Sequence, residues 1–222
     1  MNPYTNILRK YESGIRDAIL YRDRNEEKTI TQALKLQEEI DWSFIATALD
    51  VIGDTNLAVQ YFLDNGFEVN NNQISDGEKY LHLYGVLNAT YLQQEAIKVL
   101  CEKFHMKNGN LWKQSKIREI RNKIGSHSSD YKNGKESYVV IRNSISGFTF
   151  EFKNNQSQEY TYINLKDDLE EHIKSIIYYV DILYEQTICI LYKENELRLK
   201  EELNNLSNIR QICFLPFRAI TS

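Results

Sequence analysis

Between Pro3 and Pro216 the chain contains no proline, and glycine occupies only nine of its 222 positions. Proline removes a backbone donor and collides with the preceding turn of a helix, so a stretch this long without it leaves long helices uninterrupted. A mainly α fold is the expectation. The apolar share of 42% and the charged share of 26% fit a single globular domain and argue against a disordered chain, a collagen-like chain or a two-domain enzyme.

Caps and turns divide this helical chain. Tyr4 to about Arg24 and Glu26 to about Ile52 are rich in helix formers, and Gly53-Asp54-Thr55 supplies a stop followed by a new N-cap. A shorter helix then reaches the Asp64-Asn65-Gly66 turn. Ser75-Asp76-Gly77-Glu78 has the spacing of a capping box, in which serine and glutamate each satisfy a free backbone N–H, and the helix it opens extends to about His105. On that helix Leu81, Tyr84, Tyr91, Leu92, Ala96, Val99 and Leu100 form the apolar side, with Gln93, Gln94 and Glu95 turned away. After Asn108-Gly109-Asn110, another helix carries Ile117, Ile120 and Ile124 on one face.

The period then changes. Tyr138 to Ile141 and Phe148 to Phe152 flank Asn143-Ser144-Ile145-Ser146-Gly147 as a hairpin, and Tyr160-Thr161-Tyr162 adds a third strand. Asn164, followed by Asp167 and Asp168, caps a last long helix with the stripe Ile173, Ile176, Ile177, Val180, Leu183 and Ile190. The expected layout is one helical-bundle domain over residues 1–205, with a small antiparallel β insertion at about 137–163 before the last long helix, and an aperiodic tail over 206–222.

Three widely spaced cysteines, Cys101, Cys189 and Cys213, imply no disulfide framework and suit a reducing compartment. The opening MNPYTNILRKYES lacks the apolar core of a secretory signal. The most apolar stretch, Ile173 to Tyr192, is interrupted by Lys174, Asp181 and Glu185, as in a core helix rather than a membrane span. The expectation is a cytoplasmic protein without a membrane partner.

The formal charge of −4 is unevenly spread, because from Lys98 to Lys135 ten basic residues stand against three acidic ones, a local excess of seven positive charges. Such a field is either a footprint for a polyanion such as RNA or a solvated lysine-rich face. Within it lies Ile117-Arg118-Glu119-Ile120-Arg121-Asn122-Lys123-Ile124-Gly125-Ser126-His127. At about 100° per residue, Arg121 falls about 40° from Ile117 and borders the apolar stripe, whereas Arg118, Glu119, Asn122 and Lys123 lie about 100° or more away. A guanidinium at that border must snorkel, pair with an acid or await an anion such as phosphate.

Gly125 can end the helix at its C-cap, leaving Ser126 and His127 in the turn beyond, from which the imidazole can swing over Arg121. Asn122 is placed to hydrogen-bond around the Gly125-Ser126 turn and so to position His127. Lys116, Arg118 and Lys123 are the candidate RNA contacts. A histidine that takes the proton of a 2′-OH and an arginine that stabilises charge on the phosphorane suffice for RNA cleavage with no metal and no cofactor. Read from the residues alone, an arginine and a histidine six positions apart are more often structural than catalytic.

Arg121-Asn122-x4-His127 resembles the R-x(4–6)-H motif of HEPN domains, helical bundles of bacterial defence and toxin–antitoxin systems in which Asn often follows the Arg. Leu83-Tyr84-Gly85-Val86-Leu87 and Tyr91-Leu92-Gln93-Gln94-Glu95-Ala96 are similar to the preceding helix of some bacterial members, and the resemblance in architecture covers about residues 1–200. It implies a homodimer that brings two Arg121/His127 pairs into one cleft and a metal-independent endoribonuclease that leaves a 2′,3′-cyclic phosphate. Regulation by an antitoxin or a phage-derived product would go with antiviral, abortive-infection or toxin biology. The alternative is a non-catalytic HEPN-like module that binds RNA, nucleotide or protein.

Two features depart from the family pattern. Ser129 stands where many HEPN toxins paired with a nucleotidyltransferase carry the tyrosine that receives AMP, and the nearest tyrosine here is Tyr131. The β insertion is an elaboration of the simple bundle. Other polar groups fit structural roles: Cys101 and His105 lack further ligands for a metal site, His82 and His172 have no chemical neighbours of note, and Asp167, Asp168, Glu170 and Glu171 complement a helix N-terminus.

Overall fold

A computed structural model describes residues 2–25, 29–69, 72–106, 115–126 and 128–213. The fold is mainly helical, with seven α-helices among the described residues and a small antiparallel sheet before the last two. The helices are α1 (Pro3–Asn25), α2 (Ile30–Ala33), α3 (Ile40–Asn65), α4 (Asp76–Lys103), α5 (Lys116–Arg121), α6 (Leu165–Leu191) and α7 (Glu196–Cys213). A short hairpin pairs β1 (Glu68–Val69) with β2 (Asn72–Gln73), a feature the sequence pattern did not suggest. The three-stranded sheet has the order β3 (Tyr138–Val140), β4 (Thr149–Asn154), β5 (Tyr160–Asn164).

The chain clusters into two compact units. The first comprises residues 1–2, 54–94 and 110–172, and the second 3–53, 95–109 and 173–222. No helix among the described residues is long and apolar enough to cross a membrane.

In the first unit the sheet follows the alternation of its sequence. Phe152 pairs Val140 and Thr161, and Phe150 pairs Ile163. Phe150, Phe152, Val140 and Ile163 are buried, and Thr149 and Glu151 take the other face. Aromatic edges knit this core: Phe62 meets Phe67 and Phe148 at centroid distances of 5.0 and 6.0 Å, and Tyr138 meets Phe152 at 5.6 Å. Gly66 terminates α3 at φ 63°, and a side chain there would collide with the carbonyl of Gly147, whose oxygen accepts the Phe67 N–H at 2.7 Å. Only glycine combines that dihedral with that close approach.

The second unit packs Leu8, Ile15, Ile19, Ile45, Leu49 and the expected α6 stripe from Ile173 to Leu183. Tyrosine hydroxyls tie its helices: Tyr11 donates to Asp181 at 2.7 Å, Tyr184 to Glu202 at 3.1 Å, and Tyr192 to the Ala18 carbonyl at 2.6 Å. A Cβ at Gly14 would stand 2.8 Å from the Tyr184 ring, so only hydrogen fits at this contact.

The capping box at Ser75 forms as expected, with Ser75 N donating to Glu78 at 2.8 Å and Glu78 N to Ser75 Oγ at 3.3 Å. Asn164 caps α6 by accepting from Lys166 N at 3.1 Å. Several expectations need correction. Gly53 does not stop a helix, because α3 runs through it, and the burial of Ile45, Leu49, Ile52, Val59 and Phe62 along α3 outweighs the roughly 1 kcal/mol cost of a helical glycine. The segment expected as one helix from Glu26 is instead broken at Lys35, which adopts φ 56°.

Gln93 and Gln94 are fully buried rather than turned away, whereas Leu81 is 73% exposed and Tyr84 and Leu92 also face outward. Gln94 can enter the interior because Ser115, His172 and Arg118 engage its amide, and Gln93 enters with its Oε1 accepting from His172. Leu206, assigned to an aperiodic tail, is fully buried in α7, which continues to Cys213.

Candidate functional site

The site residues sit on a short element of the first unit. α5 spans six residues, and Ile117 and Ile120 bury its apolar face, continued by Ile124. Its start is pinned where Lys116 Nζ meets Asp168 Oδ1 at 2.6 Å, a carboxylate in the first turn of α6 that is itself buried. Beyond Arg121 the backbone widens into a π turn over Asn122–Ser126. Gly125 lies inside that turn and not at a left-handed C-cap, since its φ is not positive; this corrects the expected helix end. Ser126 closes the turn, exposed. His127 lies outside the described residues, as do Lys107, Lys113 and the Asn108-Gly109-Asn110 break.

Arg121 is half-buried at the edge of the isoleucine stripe. Its Cζ stands 4.1 Å from the centroid of the Tyr91 ring on α4, and its Nη1 donates to Asn122 Oδ1 at 3.2 Å. Among the described residues no carboxylate pairs with it. Asn122 therefore serves its neighbour rather than the Gly125-Ser126 turn, because the π turn leaves its amide beside the guanidinium. Arg118 reaches the same ring at 5.0 Å and donates from Nη1 to Gln94 Oε1 at 3.5 Å. Two guanidiniums thus share one tyrosine, each drawn to the negative face of the ring.

The lysines are less available. Lys116 is engaged with Asp168, and Lys123 pairs with Glu119 at 2.8 Å while its Nζ lies 5.4 Å from the Tyr138 ring. The basic stretch is also divided between the units: Lys98 and Lys103 belong to the second, where Lys103 pairs with Asp41 and Lys98 with Glu102. Around α5, Arg121 carries positive charge that no carboxylate among the described residues matches.

Tyr91 and Gln94 are the residues the sequence reading placed in other roles, one as core and the other as surface. Their roles depend on residues distant in sequence, and locally only the adjacent pair Gln93 and Gln94 stands out in the helix. His172 is buried between them and satisfied, with its Nε2–H donating to Gln93 Oε1 at 2.9 Å. Burial pushes its imidazole down to about 3, so it is neutral. His82 Nδ1 lies 3.2 Å from the Gly66 carbonyl and its ring packs on Tyr61. Burial pushes the Cys101 thiol up to about 11, and no cluster of three His, Cys, Asp or Glu side chains among the described residues could hold a metal. In the acidic run, Asp167 accepts from Asn164 at 2.7 Å and Glu170 from Asn2 at 3.1 Å.

The arrangement can hold an anion against the Arg121 guanidinium, whose position is fixed by a ring and by a neutral amide. No family model matches the chain, and neither a curated protein nor a solved structure does.

Proposed function

We propose that this protein is a metal-independent endoribonuclease of the HEPN type that acts in bacterial antiviral defence or a toxin–antitoxin system. The observation that carries the reading is Arg121, a permanent cation held on Tyr91 with a neutral amide as its hydrogen-bond acceptor. A guanidinium that is positioned but not neutralised can take a phosphodiester bidentately. In the proposed reaction His127 removes the proton of a ribose 2′-OH, whose oxygen attacks the adjacent phosphorus. The P–O5′ bond breaks, a proton passes to O5′, and a 2′,3′-cyclic phosphate remains. Arg121 stabilises the additional charge on the phosphorane.

Protonation of the leaving oxygen needs a second acid, which a two-fold partner supplies as its own histidine. Leu81, Tyr84 and Leu92, exposed on the same helix as Tyr91, give a second copy an apolar stripe to cover beside the site. The protein is proposed to act as a homodimer on RNA in the cytoplasm, under the control of an antitoxin or a phage-derived product.

Incubation of the purified protein with total RNA in EDTA tests the reading. Wild type should cut RNA and His127→Ala should not, with RNA still bound. Equal binding without cleavage in both proteins overturns the enzyme and leaves a binding module.

A further inference from the structure

Tyr91 is one of three tyrosines along one side of α4. At about 100° per residue, Tyr80, Tyr84 and Tyr91 fall within about 40° of one another, whereas Leu81 and Leu92 lie about 60–120° further round the helix. Tyr91 is already occupied, because the Arg121 Cζ stands 4.1 Å from its centroid. Tyr84 is 42% exposed, and among the described residues no cation stands over its ring. Its neighbour Tyr80 is half-buried, with ring centroids 5.8 Å apart and planes tilted by 30°. A Cβ at Gly125 would stand 3.9 Å from Tyr84 Cδ1 and 3.9 Å from Arg121 Cγ, so the tyrosine ring edge and the arginine stem flank the same glycine. All of these residues belong to the first unit.

We propose that Tyr84, braced by Tyr80, is a base-stacking subsite beside Arg121, so that the substrate is single-stranded RNA with an unpaired base lying on this tyrosine next to the phosphodiester that the guanidinium holds. This rests on the ribonuclease reading and names its substrate class. A guanidinium that no carboxylate among the described residues matches takes a phosphate, and an exposed aromatic face takes a nucleobase. One nucleotide carries both groups. In a duplex each base is covered by its neighbours in the stack, so only an unpaired, splayed base can present its face to the ring. A ring held by a second ring loses little freedom when a base joins it, which lowers the ordering cost of binding. Tyr84 stands at the edge of the leucine stripe and Tyr80 lies further from it, so a second copy seated on Leu81 and Leu92 leaves the Tyr80 side of the row open.

Fluorescence anisotropy of the full-length protein with a 2′-O-methyl oligoadenylate, which is single-stranded and cannot be cleaved, tests this. Tyr84→Leu, which keeps an apolar side chain and loses the ring, should weaken binding about tenfold. Tyr84→Phe, which keeps the ring, should bind within about twofold of wild type. A strand of the same length made of abasic nucleotides removes the bases instead of the ring. It should bind wild type more weakly than the oligoadenylate does, and it should not distinguish wild type from Tyr84→Leu. Arg121→Ala should weaken both strands, because both keep their phosphates. Equal affinity of wild type and Tyr84→Leu for the oligoadenylate, or a loss on the abasic strand as large as on the intact one, overturns the subsite. Cleavage of total RNA in EDTA separates the two readings. A protein that cuts RNA but binds oligoadenylate without using Tyr84 keeps the ribonuclease and loses the subsite, and one that binds through Tyr84 without cutting keeps the subsite and loses the ribonuclease. If wild type neither binds nor cuts, both fall.

Discussion

Each compact unit stacks an arginine on a tyrosine, and the two differ in what surrounds the charge. Arg198 in the second unit has its Cζ 4.0 Å from the Tyr21 ring centroid, and its guanidinium meets Glu201 at 3.1 Å and Glu202 at 2.5 Å. Arg121 in the first unit has its Cζ 4.1 Å from Tyr91 and meets the amide of Asn122. The distances to the ring are nearly equal, so stacking alone does not mark a functional arginine. What separates them is neutralisation: two carboxylates complete Arg198 as a structural cation, whereas Arg121 is positioned with its charge still available. Arg210, bonded to Asp181 and Glu185, belongs with Arg198.

The largest expected effect is on the structural arginine. Glu202 is buried and holds both Arg198 and the Tyr184 hydroxyl. Its removal leaves Arg198 with only the more exposed Glu201 and the buried Tyr184 hydroxyl without its acceptor, so Glu202→Ala should destabilise the protein by about 3 kcal/mol. Urea unfolding would measure this, and Arg121→Met should cost well under half as much in the same assay. Equal losses would erase the distinction between the two arginines.

The order reverses for activity. Arg121→Lys keeps the charge but loses the planar fork, which in a pre-organised site commonly costs on the order of 3 kcal/mol, or about a hundredfold in rate. Arg198→Lys should leave the cleavage rate within a few-fold of wild type. RNA cut at the wild-type rate by Arg121→Lys would make Arg121 a second structural arginine.

These contrasts were only partly legible in the sequence. Short-range signals held: the Ser75/Glu78 box, the alternation of Phe150 and Phe152 with Thr149 and Glu151, and the Asn164 cap are each written within a few residues. The place of Arg121 at the border of the Ile117, Ile120 and Ile124 stripe also follows from helical periodicity alone. Tyr91 and Gln94 could not be assigned in that way. Whether a glutamine is surface or core depends on a partner, and for Gln94 that partner is His172, 78 positions along the chain. The same limit explains Gly53, whose local helix-breaking tendency is overridden by side chains buried from elsewhere. Arg198 shows the converse, because its two carboxylates at i+3 and i+4 are visible in sequence as helical neighbours and already identify a satisfied charge.

A third contrast concerns protons. His172 is neutral and 4% exposed, so the charge near Gln94 comes from arginine and does not change with pH in the neutral range. In the unfolded chain the same histidine takes up a proton below its ordinary value near 6.5, whereas in the folded chain it does so only near 3. Its neutral burial therefore contributes stability that is fully present above 6.5 and is lost as the pH falls between those values, at up to about 1.4 kcal/mol for each pH unit. Urea titrations at stepped pH should show this slope in wild type and a shallower one in His172→Phe. An unchanged slope would mean that the imidazole is protonated in the fold, and the first unit would then carry a further cation.

The smallest effect tests how the Arg121 stem is held. Gly125 lies in the π turn at an ordinary helical φ, and a Cβ there would meet Arg121 Cγ and Tyr84 Cδ1 at 3.9 Å each, ordinary contact distances. Glycine is therefore not required by space or by backbone conformation at this position. Gly125→Ala should stabilise the protein by about 0.5–1 kcal/mol by narrowing the unfolded ensemble. The added methyl touches the aliphatic stem of Arg121 and not its guanidinium, so RNA cleavage should stay within a few-fold of wild type. A loss of more than about 1 kcal/mol would mean that the chain uses a left-handed conformation at Gly125. The turn would then end the helix there, and the guanidinium of Arg121 would be set by a cap rather than by Tyr91.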